Sequence, residues 1–520
     1  MSETLPLHAR ITPATRMIIT VCVMLATLMQ ALDSTIANVA LPYMQGTLSA
    51  NSDQINWVLT SYVVAAAIMT APVGWLSARF GTKNVLLVSL IGFTATSMLC
   101  GIAGSIGEMV IFRFLQGVFG AALVPLSQST LLNIYPMEKR GSAMALWGMG
   151  VMLGPILGPT LGGYLTDLYN WRWVFFVNLP FGIAATLGVT AFMREEGERK
   201  VKGFDFLGFG ILAVALAGLQ LALDRGETKD WLSSNEIIFE TVLAALGFYL
   251  FTVHMLTSDR PLLPKGIFTD SNLLSAILMM FLVGLVLLSS SALLAPYLQR
   301  LSGYSVRAAG LEMAPRGFGT MAAMMLAGRL GTKADPRLQI LVGIILMGGS
   351  LWEMTQWTPD VSSNAILITI VIQGFGMGFV FMPLQLIAFA TLNPMLRGDG
   401  AAALSLTRNI GMAIGTSVSS AVVSHMTQYE HAVLSYFVTP FAHVFHHDVG
   451  TVGSVMMDPT TAAGAVALDA MVTRQASIVG YGDAFMLLTL CTVPCVFLLP
   501  MMRRAKVAPI KDPTAHAAMD

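Results

Sequence analysis

The sequence predicts an all-α integral membrane protein of fourteen helices. Three observations predict it: a composition that water cannot accommodate, apolar stretches of spanning length, and basic residues gathered into alternate connections. Of the 520 residues only 11% are charged while 55% are hydrophobic, and the mean hydropathy is +0.71. A soluble domain carries roughly 25% charged residues, so this chain cannot cover itself in water and needs the bilayer as solvent. The 29 basic and 29 acidic residues cancel, which removes any charge-based case for nucleic-acid binding or for adsorption to a membrane surface.

The first apolar stretch, Met17 to Ala40, follows Arg10 and Arg16. It exceeds the ~7–15 residue core of a cleavable signal peptide and reads as a retained helix. A membrane helix needs ~20 mainly apolar residues. Such stretches lie near 17–41, 55–77, 85–105, 109–132, 142–165, 173–193, 207–223, 236–256, 271–298, 308–328, 338–357, 364–390, 399–424 and 479–501. An even number of spans puts both termini on one side. Of the 29 Lys and Arg, Arg113, Arg316 and Arg408 fall inside spans. Arg172, Arg225, Lys229, Arg300, Arg307 and Arg474 lie in the connections opposite the termini, and the other twenty lie on the side of the termini. Basic residues are retained in the cytoplasm, so both termini are expected there. The four cysteines form no CxxC pair and no zinc-spaced cluster with histidine.

An internal repeat gives the arrangement of the spans. Ala78-Arg79-Phe80-Gly81-Thr82-Lys83 after helix 2 recurs as Gly328-Arg329-Leu330-Gly331-Thr332-Lys333 after helix 10, 250 residues on. Gln116-Gly117 recurs as Gln373-Gly374, and Arg140-Gly141 as Arg397-Gly398, both 257 residues on. Three matches in one order, each eight helices apart, predict a 6 + 2 + 6 plan. Its parts are an amino-terminal half over 1–200, two inserted helices over 201–265, and a carboxyl-terminal half over 266–520 that includes a long outer loop at 425–478. Parallel halves about an axis along the membrane normal are a transporter architecture, with the binding site between them near the midplane.

Longer motifs carry a family resemblance over nearly the whole chain. They are Leu32-Asp33-Ser34-Thr35-Ile36-Ala37-Asn38-Val39-Ala40-Leu41-Pro42 in helix 1, Gly74-Trp75-Leu76 to Arg79-Phe80-Gly81 after helix 2, and Trp171-Arg172-Trp173-Val174-Phe175-Phe176-Val177-Asn178-Leu179-Pro180 between helices 5 and 6. With these the sequence resembles the fourteen-helix drug:proton antiporters of the major facilitator superfamily, the EmrB/QacA type. The resemblance implies the major facilitator fold. Ala78 stands where many members have Asp, so a gating carboxylate in that loop is not assumed. By this resemblance Gly74, Arg79 and Gly81 are taken as gating or helix-packing positions.

Several residues are candidates for chemistry. Asp33 lies about nine residues before Pro42, roughly 13 Å inside the outer face at ~1.5 Å per residue. A carboxylate at that depth is protonated, paired or lining water, which suits a proton carrier; the alternative is a helix-break cap with Ser34 and Thr35. Arg113, near the same depth in helix 4, could stabilise the charged form of Asp33 in one conformation and leave it in another; the alternative is snorkelling to the interface. Gly150, Gly154, Gly158 and Gly162 form a small-residue stripe on helix 5 with Pro155 and Pro159 between them. Such a stripe admits a close neighbour, and its position in the family implies a gating or sealing role beside plain packing. Glu312 and Arg316, four apart, can pair on one face or contact substrate, as can Arg408, Gln116 and Gln373. Methionine and phenylalanine runs at 279–280, 324–325 and 375–381 offer adaptable apolar lining or ordinary core. The histidines of the 425–478 loop lack ligand spacing, so no metal is expected.

The absence of GxxxxGK[ST] means the chain has no nucleotide site of this kind and uses a gradient. No cofactor and no enzymatic activity are expected, since no nucleophile, base and orienting group converge. The expectation is a bacterial inner-membrane exporter of hydrophobic or amphipathic compounds, coupled to protons. By resemblance, the partners are a periplasmic membrane-fusion adaptor and an outer-membrane channel. A dedicated exporter of one metabolite and a non-transporting receptor or scaffold stand as alternatives.

Overall fold

The computed structural model describes residues 11–136, 139–194, 203–330, 334–438 and 461–502. Among them every regular element is helical. The amino-terminal part holds α1 (Pro13–Thr47), α2 in two pieces (Ser52–Thr70 and Val73–Phe80), α3 (Thr82–Ile102), α4 in two pieces (Ile106–Gly120 and Leu123–Ile134), α5 (Arg140–Leu168) and α6 in two pieces (Trp173–Phe176 and Asn178–Phe192). Next come α7 (Phe206–Arg225) and α8 (Asn235–Thr257). The rest holds α9 (Ser271–Pro296, continued by a π turn to Leu301), α10 in two pieces (Val306–Met313 and Pro315–Leu330), α11 (Pro336–Met354), α12 (Ser363–Ala388), α13 (Arg397–Phe437) and α14 (Ala462–Leu498).

Among the described residues, ten helices are long and apolar enough to cross a membrane, or eleven with the bent α2. The segments outside that count are α5, α10 and α13, of which α10 and α13 carry glycine, serine and arginine inward. The order of helical segments is the predicted one, and short connections make neighbours antiparallel. Polar caps start many of them: Asn51 and Gln54 form a reciprocal capping box on α2, and Ser105, Asp205, Asp270, Ser362 and Thr461 each accept from a first-turn amide. The α2 to α3 turn needs Gly81, whose φ of +86° suits a residue without Cβ. Its counterpart in the repeat, Gly331 to Lys333, lies outside the described residues.

Both halves use one packing device. Cβ atoms at Gly154 and Gly158 on α5 would stand only 2.5 Å from the Ala31 Cβ and 2.9 Å from the Thr35 Cβ of α1. On the other side, a Cβ at Gly415 of α13 would stand 2.6 Å from the Leu285 Cα of α9, and one at Gly411 3.2 Å from the Leu285 amide. Small residues therefore let α5 lie on α1 and α13 lie on α9 at backbone distance. The second stripe escaped the sequence reading because serine replaces glycine at its third position, Ser419.

Contacts between the two groups of six gather at the end of the bundle that carries α1's start and α14's finish. There Gln128 of α4 donates a hydrogen bond to Gln385 of α12. These residues are 257 apart, the interval of the repeat, so equivalent side chains meet across the pseudo-two-fold axis. Beside them Arg397 Nη1 donates to Asn133 Oδ1 at 3.0 Å, Trp147 stacks on Phe381 with centroids 6.1 Å apart, and Gly74 leaves room for Asp399. That end is closed. The α7–α8 pair packs on α2 and α13, joined by Thr60 donating to Asp224 at 2.5 Å and Ser417 to the Leu223 carbonyl at 2.8 Å.

The outer loop differs from its expected bounds. Helix α13 runs on to Phe437 and α14 begins at Ala462, so much of 425–478 is helical. Residues such as Gln428, Glu430 and His431 end the apolar window without ending the helix, because helical hydrogen bonding continues in water.

Candidate functional site

Asp33 of α1 and Arg113 of α4 are both wholly buried and meet in an ion pair, Arg113 Nη1 donating to Asp33 Oδ2 at 2.7 Å. The other carboxylate oxygen accepts from Gln116 Nε2 at 2.9 Å and from Asn178 Nδ2 at 3.0 Å. Arg113 and Gln116 are three apart and share one face of α4, where Arg113 Nη1 also donates to Gln116 Oε1 at 2.8 Å. Asn178 begins the second piece of α6, and the break at Val177 lets its side chain turn into the bundle.

Arg113 is also held without Asp33. Its Nε donates to the Val58 carbonyl of α2 at 3.1 Å, and its guanidinium lies 4.3 Å from the Tyr62 ring centroid and 5.6 Å from that of Phe175. Asn178 Nδ2 reaches Ser97 Oγ at 3.0 Å, and Ser97 Oγ donates to the Phe175 carbonyl at 2.9 Å. The Asp33 carboxylate thus meets three donors, Arg113, Gln116 and Asn178, while the bonds of Arg113 to Val58 and of Ser97 to Phe175 do not involve it. Removing either charge would strand the other out of water, which is strongly unfavourable.

The carboxyl-terminal half is built differently. Glu312 and Arg316 do not pair: the helix breaks at Ala314 between them, and Glu312 instead accepts from Ser363 Oγ at 2.5 Å. The intrahelical ion pair open to this spacing is therefore not formed. Arg316 turns to α9, donating to Ser291 Oγ at 2.5 Å, Ser290 Oγ at 2.9 Å and the Leu287 carbonyl at 3.2 Å. Arg408 on α13 is only 9% exposed and is joined to no carboxylate among the described residues. Gln373 is fully buried and donates only weakly, to the Met354 sulfur at 3.9 Å.

The remaining candidates fall outside the Asp33 cluster. Gly154, Gly158 and Gly162 line the contact of α5 with α1, while a Cβ at Gly150 would meet nothing closer than 3.7 Å. The helix passes through Pro155 and Pro159, whose side chains lie outside those described. Arg79 is exposed beside the Gly81 turn. Among the described residues no group of three or more His, Cys, Asp or Glu could hold a metal; His443, His446 and His447 lie outside them. The sequence reading missed Asn178 and Ser97 as members of the Asp33 cluster, although Asn178 stands inside the motif between helices 5 and 6. It also missed Asp224, near the end of α7, whose polarity looked like a helix terminus.

Comparison with known proteins agrees with this architecture. The sequence profile of the Major Facilitator Superfamily matches residues 23–416. The chain is 37% identical over 426 residues to the "Multidrug export protein EmrB" of Escherichia coli (strain K12), covering 82% of this chain and 83% of that one. It is 34% identical over 475 residues to the protein of the same name from Haemophilus influenzae, covering 90% and 92%. It is 32% identical over 487 residues to the "Fatty acid resistance protein FarB" of Neisseria gonorrhoeae, covering 92% and 95%. Among solved structures, the human organic anion transporter MFSD10 matches with a TM-score of 0.56 at 14% identity, covering 94% of this chain and 100% of that one, a likeness of fold. By its helices, its repeat and these matches, the chain belongs to the Major Facilitator Superfamily, in its EmrB-like branch of multidrug export proteins.

Proposed function

We propose that the chain exports hydrophobic and amphipathic compounds across the bacterial inner membrane in exchange for protons. Its halves, 1–200 and 266–520, alternate access to a site between them, and 201–265 is an insertion. The observation that carries this reading is the wholly buried Asp33–Arg113 pair with its neutral donors Gln116 and Asn178. Ionisable residues inside a membrane bundle are costly and mark functional sites, proton relays among them, and a carboxylate is the group here that can carry a proton. The names of the relatives support export of many drugs.

The basic residues assign the closed end to the cytoplasm, so on this reading the conformation is closed to the cytoplasm. In it Asp33 is ionised and held by Arg113. A proton arriving from outside neutralises Asp33, releases Arg113 and its partners, and lets the cytoplasmic contacts at Gln128, Gln385 and Arg397 part. Inward proton movement gains ~2.3 kcal/mol per 100 mV, which drives the return. At the outer end α13, with 41 residues, is about 60 Å long, twice the ~30 Å hydrocarbon core. Its protruding end exposes Tyr436 and Phe437, an apolar surface for a periplasmic membrane-fusion adaptor that leads to an outer-membrane channel.

The test is proton release from acidified inside-out vesicles, read with a pH-sensitive dye as lipophilic drugs are added. Wild type should respond, and Asp33→Asn at equal insertion should not. A response that persists in Asp33→Asn would move the coupling site elsewhere.

A further inference from the structure

We propose that the inserted pair α7–α8 is a splint on α2: Asp224 and Phe204 fasten it to the two pieces of that bent helix, so that it moves with the amino-terminal half, and Ser417 of α13 holds it by a latch that can let go. Its motion rests on the alternating access of the export reading, while the order of the attachments can be tested in a protein at rest.

The pair is a rigid unit by its own chemistry. A Cβ at Gly218 would stand 3.2 Å from the Ala244 amide, and one at Gly247 2.8 Å from the Ala215 Cβ, so α7 and α8 touch at backbone distance. Both ends are pinned as well. At the outer end Arg225 binds Glu236 at 2.5 Å and Glu240 at 3.0 Å, and at the opposite end His254 Nε2 meets the Asp205 carboxylate at 3.0 Å.

The helix beneath it is broken. Pro72 has no amide to give, and the pieces Gln54–Thr70 and Val73–Phe80 meet at 57°. Each piece has its own task. The first holds Arg113 through the Val58 carbonyl and the Tyr62 ring, and the second reaches the closed end, where Gly74 makes room for Asp399. Helix α7 crosses the break as one run of 20 residues, ~30 Å long. Near its outer end Asp224 Oδ2 accepts from Thr60 Oγ1 of the first piece at 2.5 Å, while Gln220 Nε2 donates to Oδ1 at 2.9 Å and orients the carboxylate. At its other end Phe204 lies against Trp75 of the second piece, with centroids 4.7 Å apart. Fixed to both pieces, α7 passes a movement of one to the other.

The tie to the other half is of a different kind. Ser417 Oγ donates to the Leu223 carbonyl at 2.8 Å, one of the last four carbonyls of α7, which a helix leaves without amide partners of its own. Donor and acceptor are both neutral there. The carboxylate acceptor at Thr60 makes a bond about twice as strong, and the Trp75–Phe204 contact adds to it. Ser417 also has another acceptor within reach. Its neighbour Thr416 donates to the carbonyl four residues back, Met412, at 2.8 Å, and a helical serine can turn to Ala413 in the same way. When the halves rock, α13 therefore parts from Leu223 before α2 parts from Asp224.

The experiment uses purified full-length protein in lipid nanodiscs, with Cys491→Ala as background because the other three cysteines are buried. Nitroxide labels go on Ser233→Cys at the tip of the insert, Gly107→Cys at the outer end of α4 and Asp360→Cys between α11 and α12, three exposed positions. Pulsed double electron resonance reads the distances 107–233, 233–360 and 107–360. Ser417→Ala should broaden 233–360 and leave 107–233 unchanged, whereas Thr60→Val combined with Phe204→Ala should broaden 107–233. In Asp33→Asn, which lacks the charge that holds Arg113 and so mimics the protonated protein, 107–360 and 233–360 should shift together while 107–233 stays. An unaltered 233–360 in Ser417→Ala, an unaltered 107–233 in the Thr60 and Phe204 variant, or a 107–233 distance that shifts with 107–360 would overturn the splint and its latch. Failure of the export reading would look different: the Ser417 and Thr60 variants behave as stated, but 107–360 does not move in Asp33→Asn and vesicles show no drug-dependent proton release.

Discussion

Replacing Asp33 by Asn tests the buried pair most directly, because the structure shows what would be left behind. Arg113 would lose its 2.7 Å carboxylate partner while remaining wholly buried. Breaking a buried pair by removing one member costs about 3–5 kcal/mol. The lower end applies, since the Val58 carbonyl, Gln116 Oε1 and the Tyr62 ring still hold the guanidinium. About 3 kcal/mol is about two decades in the unfolding equilibrium. Arg113→Gln should cost a similar amount by stranding the Asp33 charge, which keeps Gln116 and Asn178 as donors. The double variant should cost less than the sum by about 2 kcal/mol, because neither charge is stranded. Steric-trap unfolding in bicelles would measure all three. A single-variant cost below about 1 kcal/mol, with coupling below about 0.5 kcal/mol, would refute the reasoning and mean that water reaches the pair.

Three further expectations follow from the same geometry. Asn178→Leu should remove the link between Asp33 and Ser97 and so reduce drug-dependent proton release in vesicles while leaving insertion intact; unchanged release would place Asn178 outside the coupling cluster. Gly158→Val should destabilise by about 1–3 kcal/mol through overpacking against Thr35, whereas Gly150→Ala, with its nearest neighbour at 3.7 Å, should be neutral or gain up to about 1 kcal/mol of helix propensity, both read by thermal unfolding. Gln128→Ala should loosen the closed end by one hydrogen bond, about 1 kcal/mol, so a cysteine placed beside Gln385 should react about fivefold more from the cytoplasmic face; no change would mean that Trp147 and Phe381 hold the closure alone.

What the sequence reveals and what it hides divide along a physical line. Hydropathy and basic residues reveal the spans, because lipid solvent leaves little choice of composition, and the recurring Gln-Gly and Arg-Gly pairs reveal the repeat. Depth arithmetic brings Asp33 and Arg113 to one level, since helix rise converts residue number into height. Rotation about the helix axis is less legible. The i, i+4 spacing of Glu312 and Arg316 reads as a pair, but the break at Ala314 turns them to Ser363 and to α9. Asn178 is hidden for a related reason: its side chain enters the cluster only because α6 is interrupted at Val177. Neutral amides and hydroxyls near a charge have no periodic signature, so Ser97, Ser290 and Ser291 emerge only when helices are set side by side.

The two halves differ in how they hold charge. A repeat begins with equivalent positions, and this chain still shows the equivalence where Gln128 meets Gln385 across the axis and where glycine stripes seat α5 on α1 and α13 on α9. Those shared features make the closing surface and the sliding contacts, which both halves need alike. The differences lie at the height of Leu287 and Asp33. One half has a carboxylate there and closes its charge internally with Arg113. The other has an apolar residue there, Leu287 standing 254 residues after Asp33 as Pro296-Tyr297 stands after Pro42-Tyr43, and its Arg316 is held by the Leu287 carbonyl and the Ser290 and Ser291 hydroxyls. Placing Asp at Leu287 should therefore offer Arg316 a carboxylate on α9, restore the charge pair that this half lacks and leave the Asp33 cluster intact; a double-mutant cycle of Leu287→Asp with Arg316→Gln that shows coupling below about 0.5 kcal/mol would mean that the two side chains do not meet.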